Sequence, residues 1–87
     1  MSYMPEEELV GEVFRYYEDK GVACLKLSSK IVVGETLHFK DPDGDFFQTI
    51  EEMEVSKESA RFAYAGDYVC IKVGKKLQEH DQVFMRI

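Results

Sequence analysis

The segment Ala63-Tyr64-Ala65-Gly66-Asp67-Tyr68-Val69-Cys70-Ile71-Lys72-Val73 decides how this chain folds. Its first half holds a Gly-Asp pair typical of a tight turn, because glycine adopts a positive φ without a Cβ clash and aspartate accepts hydrogen bonds from nearby amides. Its second half alternates, with Val69, Ile71 and Val73 on one face of an extended chain. A period of two is typical of a half-buried strand. The segment therefore predicts a corner that starts a β-strand.

The same corner recurs twice. It is found in Val33-Gly34-Glu35-Thr36-Leu37 and, with histidine in place of glycine, in Glu79-His80-Asp81-Gln82-Val83. The predicted structural corner residues are Gly34, Gly66, Asp67 and Asp81. A chain that repeats one corner three times is expected to build a closed or nearly closed β-structure.

Alternating segments predict seven strands, at residues 9–17, 22–27, 36–40, 46–55, 61–63, 68–73 and 83–87. The fourth is expected to contain a bulge, because Ile50 and Met53 are both apolar but three residues apart. A helix over residues 51–64 is the alternative, although Lys57 falls on its apolar stripe and no cap marks either end. The adjacent Phe46 and Phe47 cannot both point inward from a strand.

These strands and turns predict an all-β fold, a small closed antiparallel β-barrel of about six to seven strands. Residues 1–8 are interpreted as an acidic N-terminal tail and residues 9–87 as a single barrel domain. With 87 residues the chain is too short for two domains.

Composition limits the function. Seventeen acidic against 11 basic residues give a net charge of −6, which opposes non-specific attraction to nucleic acid or anionic membranes. The N-terminus has no basic-then-apolar pattern and no long apolar segment follows, so we expect a cytoplasmic protein with no membrane contact. Two cysteines do not make a disulfide framework, and Cys24 and Cys70 are interpreted as free thiols, with a single cross-strand bridge as the alternative.

Three segments together resemble a known group of barrels: residues 33–39, residues 47–53 and residues 63–73. Their order and spacing resemble the second domain of translational GTPases such as elongation factor Tu, and more closely the elongation-factor-like C-terminal barrel of the collagenase-like peptidase family. The resemblance covers residues 9–87. It implies a barrel that, in the GTPases, contacts RNA or ribosomal components. His80 departs from it, since the family usually has glycine there.

Enzymatic motifs are missing from the sequence. It contains no Gly-x-x-x-x-Gly-Lys-Ser/Thr phosphate loop, so no GTP binding is expected. The catalytic part of the peptidase-like proteins would lie outside these residues. We therefore expect a protein that is not an enzyme, with no catalytic residues and no cofactor.

Two metal-site interpretations are weak. Asp41, Asp43, Asp45 and Glu52 imitate a calcium loop, but Phe46 occupies the position that requires glycine and the flanks read as strands. His38, His80, Cys24 and Cys70 have zinc-ligand chemistry but no paired spacing. A solvated hairpin and isolated side chains are the favoured interpretations, and no metal is expected.

Basic residues form the most useful predicted surface. Arg15, Lys26, Lys40, Lys72 and Arg86 occupy polar positions of five strands, and Lys75 and Lys76 follow one of them. If these strands are neighbours, the outer wall carries a cationic stripe interleaved with Tyr16 and Tyr68, suited to phosphate contact and base stacking. An ordinary mixed-charge surface is the alternative. The candidate binding residues are Arg15, Lys26, Tyr68, Lys72, Lys75 and Lys76.

The sequence thus predicts a non-catalytic binding module that acts through contacts with a protein partner, in a translation or RNA-modification context. The alternative is direct binding of tRNA or rRNA through the basic strand face.

Overall fold

A computed structural model describes residues 6–86, which form ten β-strands and no helix. The strands are β1 (Glu7–Tyr17), β2 (Val22–Leu27), β3 (Ile31–Val32), β4 (Thr36–Lys40), β5 (Phe46–Thr49), β6 (Met53–Val55), β7 (Glu58–Ala60), β8 (Phe62–Ala63), β9 (Tyr68–Lys72) and β10 (Gln82–Arg86). Most of the predicted tail over residues 1–8 lies outside the described residues, as does the final residue of the chain. The helical alternative for residues 51–64 is wrong, because this stretch forms β6, β7 and β8.

The strands form an open half-barrel rather than the predicted closed barrel of six to seven strands. Eight antiparallel strands follow the order β5-β4-β10-β1-β2-β9-β6-β7, and β3 pairs with β8 in a separate ribbon. The barrel stays open because the expected long strand over residues 46–55 divides at Ile50, Glu51 and Glu52. Its two halves become β5, at one edge of the sheet, and β6, near the other.

Alternation places the core as expected. Leu37 and Phe39 on β4, and Val69 and Ile71 on β9, point inward and are buried. Phe46 is half-buried and stacks on Phe39 with ring centroids 4.9 Å apart. Its neighbour on β5, Phe47, points outward and is 54% exposed.

Two irregularities in β1 change which side chains face the core. The register shifts between Leu9 and Gly11, and again between Val13 and Arg15. Because each β-bulge inserts a residue, the in–out alternation is reset at each site. Phe14 is therefore 52% exposed, whereas Tyr16, which we expected on the outer wall, is half-buried against the core.

The three corners share one hydrogen-bonding pattern. In each, the side chain of the closing acidic residue accepts a hydrogen bond from the backbone amide three residues earlier, and its own amide donates to the carbonyl of that same residue. The side-chain bonds are Val32 N to Glu35 Oε1 at 2.6 Å, Tyr64 N to Asp67 Oδ2 at 2.9 Å and Gln78 N to Asp81 Oδ2 at 2.9 Å. One acidic side chain thus fixes each turn.

The residue before each acid has a left-handed backbone. The φ angles are 102° at Gly34, 93° at Gly66 and 76° at His80. A turn of this kind requires a positive φ at its third residue, which explains why glycine is preferred there. His80 adopts the same conformation at an energetic cost that glycine would avoid.

Cys24 and Cys70 form a disulfide, so the interpretation as free thiols is wrong. The two residues are paired across β2 and β9, with Cα atoms 4.0 Å apart and a sequence separation of 46. The β2–β9 pairing, which aligns the two thiols directly, is not readable from one sequence.

Candidate functional site

The outer surface of three neighbouring strands, β1, β2 and β9, carries the most concentrated group of cations and exposed aromatic rings. Antiparallel pairing sets Lys26 opposite Tyr68 and Val22 opposite Lys72, while Arg15 pairs with Cys24. We call this surface the cationic face. It consists of Phe14, Arg15, Tyr17, Lys20, Lys26, Tyr68 and Lys72.

The rings of the cationic face are exposed and each has a cation beside it. Phe14 and Tyr68 meet edge to face, with centroids 5.1 Å apart, and Tyr68 is 46% exposed. The Arg15 guanidinium carbon lies 5.9 Å from the Phe14 ring, and Lys26 Nζ lies 5.9 Å from the Tyr68 ring. Such cation–π contacts hold long flexible side chains near the rings without removing them from solvent.

Four of the six candidate binding residues come together on this face: Arg15, Lys26, Tyr68 and Lys72. Lys75 and Lys76 lie elsewhere. Lys75 Nζ donates to the Gly44 carbonyl at 2.8 Å, and Lys76 Nζ lies 3.5 Å from Glu18 Oε2. These two lysines serve loop contacts rather than the cationic face.

Sequence reasoning missed Phe14, Tyr17 and Lys20. The β-bulge at Val13 and Arg15 rotates Phe14 outward, and alternation alone does not reveal it. The nearest signal is the run Phe14-Arg15-Tyr16-Tyr17, in which strict alternation would bury two of the three rings.

A second outer surface spans β1, β10, β4 and β5. Register places Leu9 opposite Phe84, Phe84 opposite His38, and His38 opposite Phe47, so these side chains form a row across four strands. His38 stacks on Phe47 at 4.3 Å, and Lys40 Nζ lies 4.3 Å from the Phe84 ring. Lys40 and Arg86, predicted for the basic stripe, belong to this row.

Acidic side chains contact the histidine and one lysine of the second surface. His38 Nδ1 lies 2.6 Å from Glu7 Oε2, and its Nε2 lies 3.0 Å from Asp45 Oδ2. Glu7 Oε1 is also 3.8 Å from Lys40 Nζ. Because Lys40 already faces a carboxylate, this row is a poorer polyanion site than the cationic face.

The candidate metal ligands do not assemble into a site. Residues 6–86 contain no group of three or more His, Cys, Asp or Glu side chains placed to hold an ion. Cys24 and Cys70 are bonded to each other in the disulfide, while His38 and His80 each contact glutamate carboxylates.

Across the same described residues, no helix is long and apolar enough to cross a bilayer.

Comparison with known proteins identifies the fold. Two crystal structures of the C-terminal domain of a U32 peptidase from Geobacillus thermoleovorans, one of them the selenomethionine variant, are similar to this chain, each at 23% sequence identity. One has a TM-score of 0.83 and covers 92% of this chain and 99% of that domain. The other has a TM-score of 0.82 and covers 87% and 89%. This chain has the fold of that C-terminal domain.

The resemblance to the collagenase-like peptidase C-terminal barrel is thus confirmed as a likeness of fold, and the U32 C-terminal fold is the appropriate term for it. The further resemblance to elongation factor domain 2 is not confirmed by these structures. Neither the protein-family models nor the curated protein sequences give a match to this chain.

Proposed function

We propose that this domain is a non-catalytic binding module whose cationic face binds single-stranded RNA. The observation that carries the proposal is the clustering of Arg15, Lys26 and Lys72 with Phe14 and Tyr68 on three adjacent strands. An elongation-factor-like role in translation or RNA modification would fit such a surface.

The chemistry of the face suits a flexible polyanion. Single-stranded RNA offers phosphates to lysine and arginine and unstacked bases to exposed rings. Phe14 and Tyr68 present a pair of rings 5.1 Å apart, flanked by Arg15 and Lys26. A folded duplex would reach the charges but would leave the rings unused.

Because the net charge is −6, RNA binding depends on where the cations lie on the surface. A protein with excess negative charge repels RNA at long range, so affinity must come from local contacts. The salt dependence of binding then reports the number of phosphates neutralised, with a slope of about −0.7 per phosphate for single strands. Three to four cations on the face predict a slope of roughly −2 to −3.

Fluorescence anisotropy with a labelled single-stranded 12-mer RNA tests the proposal. We expect salt-dependent binding that Tyr68→Ala weakens about 5- to 100-fold through lost stacking, and that Lys26→Ala weakens with a shallower salt slope. Lys30→Ala is the matched control, because Lys30 contacts Phe62 and Tyr64 outside the cationic face. Absence of binding at 50 mM salt, or equal losses in all three variants, would refute it.

A second candidate function is contact with a protein partner through the β3–β8 ribbon. Val32, Phe62 and Tyr64 are exposed there, Phe62 and Tyr64 meet edge to face at 5.4 Å, and Lys30 Nζ lies within 6 Å of both rings. Exposed apolar side chains beside one cation favour a protein surface that is apolar and carries a carboxylate. The similar U32 domain is itself described as the C-terminal part of a larger protein.

Site-specific photo-crosslinking in the native cell tests this candidate. A crosslinker at Tyr64 is expected to capture one defined protein, and the same group at Phe47, on the edge strand β5 of the larger sheet, serves as the control. The candidate fails if Phe62→Ser leaves the Tyr64 adduct unchanged or if both positions capture the same proteins.

A further inference from the structure

Two carboxyl groups are buried where the loop after β4 meets the connection before β10. Lys40, the last residue of β4, pairs with Gln82, the first residue of β10, so the antiparallel register places Asp41 beside Asp81. Asp41 and Asp81 are only 6% and 7% exposed. Asp41 Oδ1 accepts a hydrogen bond from the Asp43 amide at 2.7 Å, and Asp81 Oδ2 accepts one from the Gln78 amide at 2.9 Å. The remaining oxygen of Asp41, Oδ2, is buried without a hydrogen-bond partner.

The two groups perturb each other in opposite directions. Desolvation, followed by the hydrogen bond that a protonated Asp81 can donate to Asp41, raises the pKa of Asp81 to about 6. A hydrogen bond donated by protonated Asp81, followed by the one from the Asp43 amide, lowers the pKa of Asp41. Two carboxylates have no proton with which to bond each other, whereas a protonated Asp81 supplies the donor that Asp41 Oδ2 lacks.

We propose that Asp41 and Asp81 share one proton, and that this proton fastens the loop over residues 41–45 to the turn over residues 78–81. The loop is the connection between β4 and β5, and the turn is the third corner. Loss of the proton leaves two buried anions side by side and loosens the loop. The inference concerns a different part of the molecule from the cationic face and does not depend on RNA binding.

The charged groups around Asp41 and Asp81 do not neutralise the pair, so a bound proton takes that role. Asp43, from the same loop, adds negative charge, and Lys75 acts on Asp41 from a distance while its Nζ donates to the Gly44 carbonyl. From β1, the Val13 backbone bonds to the corner, since its amide donates to the Asp81 carbonyl and its carbonyl accepts from the His80 amide, both at 2.8 Å. The His80 side chain turns away to Glu12, 3.0 Å distant.

The shared proton gives the stability of the fold a defined pH dependence. Between the ordinary aspartate pKa of 3.8 and about 6, the folded protein binds this proton more tightly than the unfolded chain does. The stabilisation is therefore complete below the ordinary value, declines as the pH rises, and is lost above about 6. The lowered pKa of Asp41 affects the stability of the fold only at more acidic pH.

Asp81→Asn is a permanent mimic of the protonated state. Its amide oxygen still accepts from Gln78, and its amide nitrogen donates to Asp41 Oδ2 at every pH. We expect the melting temperature of the native chain to fall by roughly 5 °C or more between pH 4.5 and 7.5 relative to the variant. Asp19→Asn, in the exposed β1–β2 turn, is the matched control and should follow the native profile.

Carboxyl 13C NMR on the native chain provides a readout that does not depend on the variant folding. The Asp81 Cγ resonance is expected to titrate with a midpoint of about 6. A midpoint near 4 would overturn the proposal. So would identical pH profiles of melting temperature for Asp81→Asn and Asp19→Asn.

Discussion

The side chain of Gln48 on β5 is hydrogen-bonded to the backbone of Gly74, across the opening of the half-barrel. The Gly74 amide donates to Gln48 Oε1 at 2.8 Å, and Gln48 Nε2 donates to the Lys72 carbonyl. These two backbone groups lie beyond the part of β9 that β6 covers. A single carboxamide thus takes the place of the missing strand pairing, and it joins one edge strand to the interior of the sheet.

Gln48→Ala removes both hydrogen bonds and leaves the Lys72 and Gly74 backbone groups to water. We expect the free energy of unfolding to fall by about 1–2 kcal/mol, measured by urea denaturation. Gln82→Ala on β10 is the matched control, because its side chain is exposed. Equal losses in the two variants would show that the Gln48 bridge contributes nothing specific.

Gly66→Ala tests the backbone requirement of the corners. A Cβ at Gly66 has no atom within 4 Å, so the cost arises from its φ of 93° alone. We expect a loss of about 1–2 kcal/mol in thermal or urea denaturation. Gly74→Ala, where the added Cβ meets only Gln48 Oε1 at 3.7 Å, should change stability by less. The reverse order would contradict the assignment of the corner.

Gly11→Ala tests a close approach between strands. A Cβ at Gly11 would lie 2.8 Å from the Lys26 carbonyl oxygen, which belongs to the backbone of β2 and cannot move independently. We expect a loss of about 1–3 kcal/mol, because β1 and β2 must separate locally. A variant as stable as the native chain would show that the bulge at this point relaxes freely.

Reduction of the disulfide between Cys24 and Cys70 should destabilise the domain by roughly 2–4 kcal/mol, since the bond closes a loop of 46 residues. The urea midpoint with and without reductant measures this loss, and thiol labelling of protein taken directly from cells reports whether the bond forms there. The Cys24→Ala, Cys70→Ala double variant is the control and should not respond to reductant.

Local features of the fold are readable from the sequence, and long-range ones are not. The corner acids at Glu35, Asp67 and Asp81 have a fixed spacing from their turns, so sequence alone indicates them. Strand alternation likewise places Leu37 and Val69 in the core. Each of these depends only on residues that are near one another in the chain.

Features set by pairing between distant strands were missed. The sequence pattern indicates a bulge where the predicted strand over residues 46–55 divides after Thr49. Whether this division keeps the barrel open depends on which strands become the edges of the sheet. The bulge that exposes Phe14 cannot be recognised from the alternation of apolar and polar residues in the sequence. The cationic face was predicted in part, since the phases of Lys26 and Lys72 and the hairpin of β1 with β2 were readable but the pairing of β2 with β9 was not.

The disulfide has a consequence for how the domain responds to proteolysis. It links β2 to β9 and encloses every residue between Cys24 and Cys70, including the exposed β6–β7 hairpin at Ser56 and Lys57. Cleavage after Lys57 would divide the chain into two peptides that stay covalently attached through sulfur. Nicked and intact molecules would then migrate together on a denaturing gel until reductant separates the fragments.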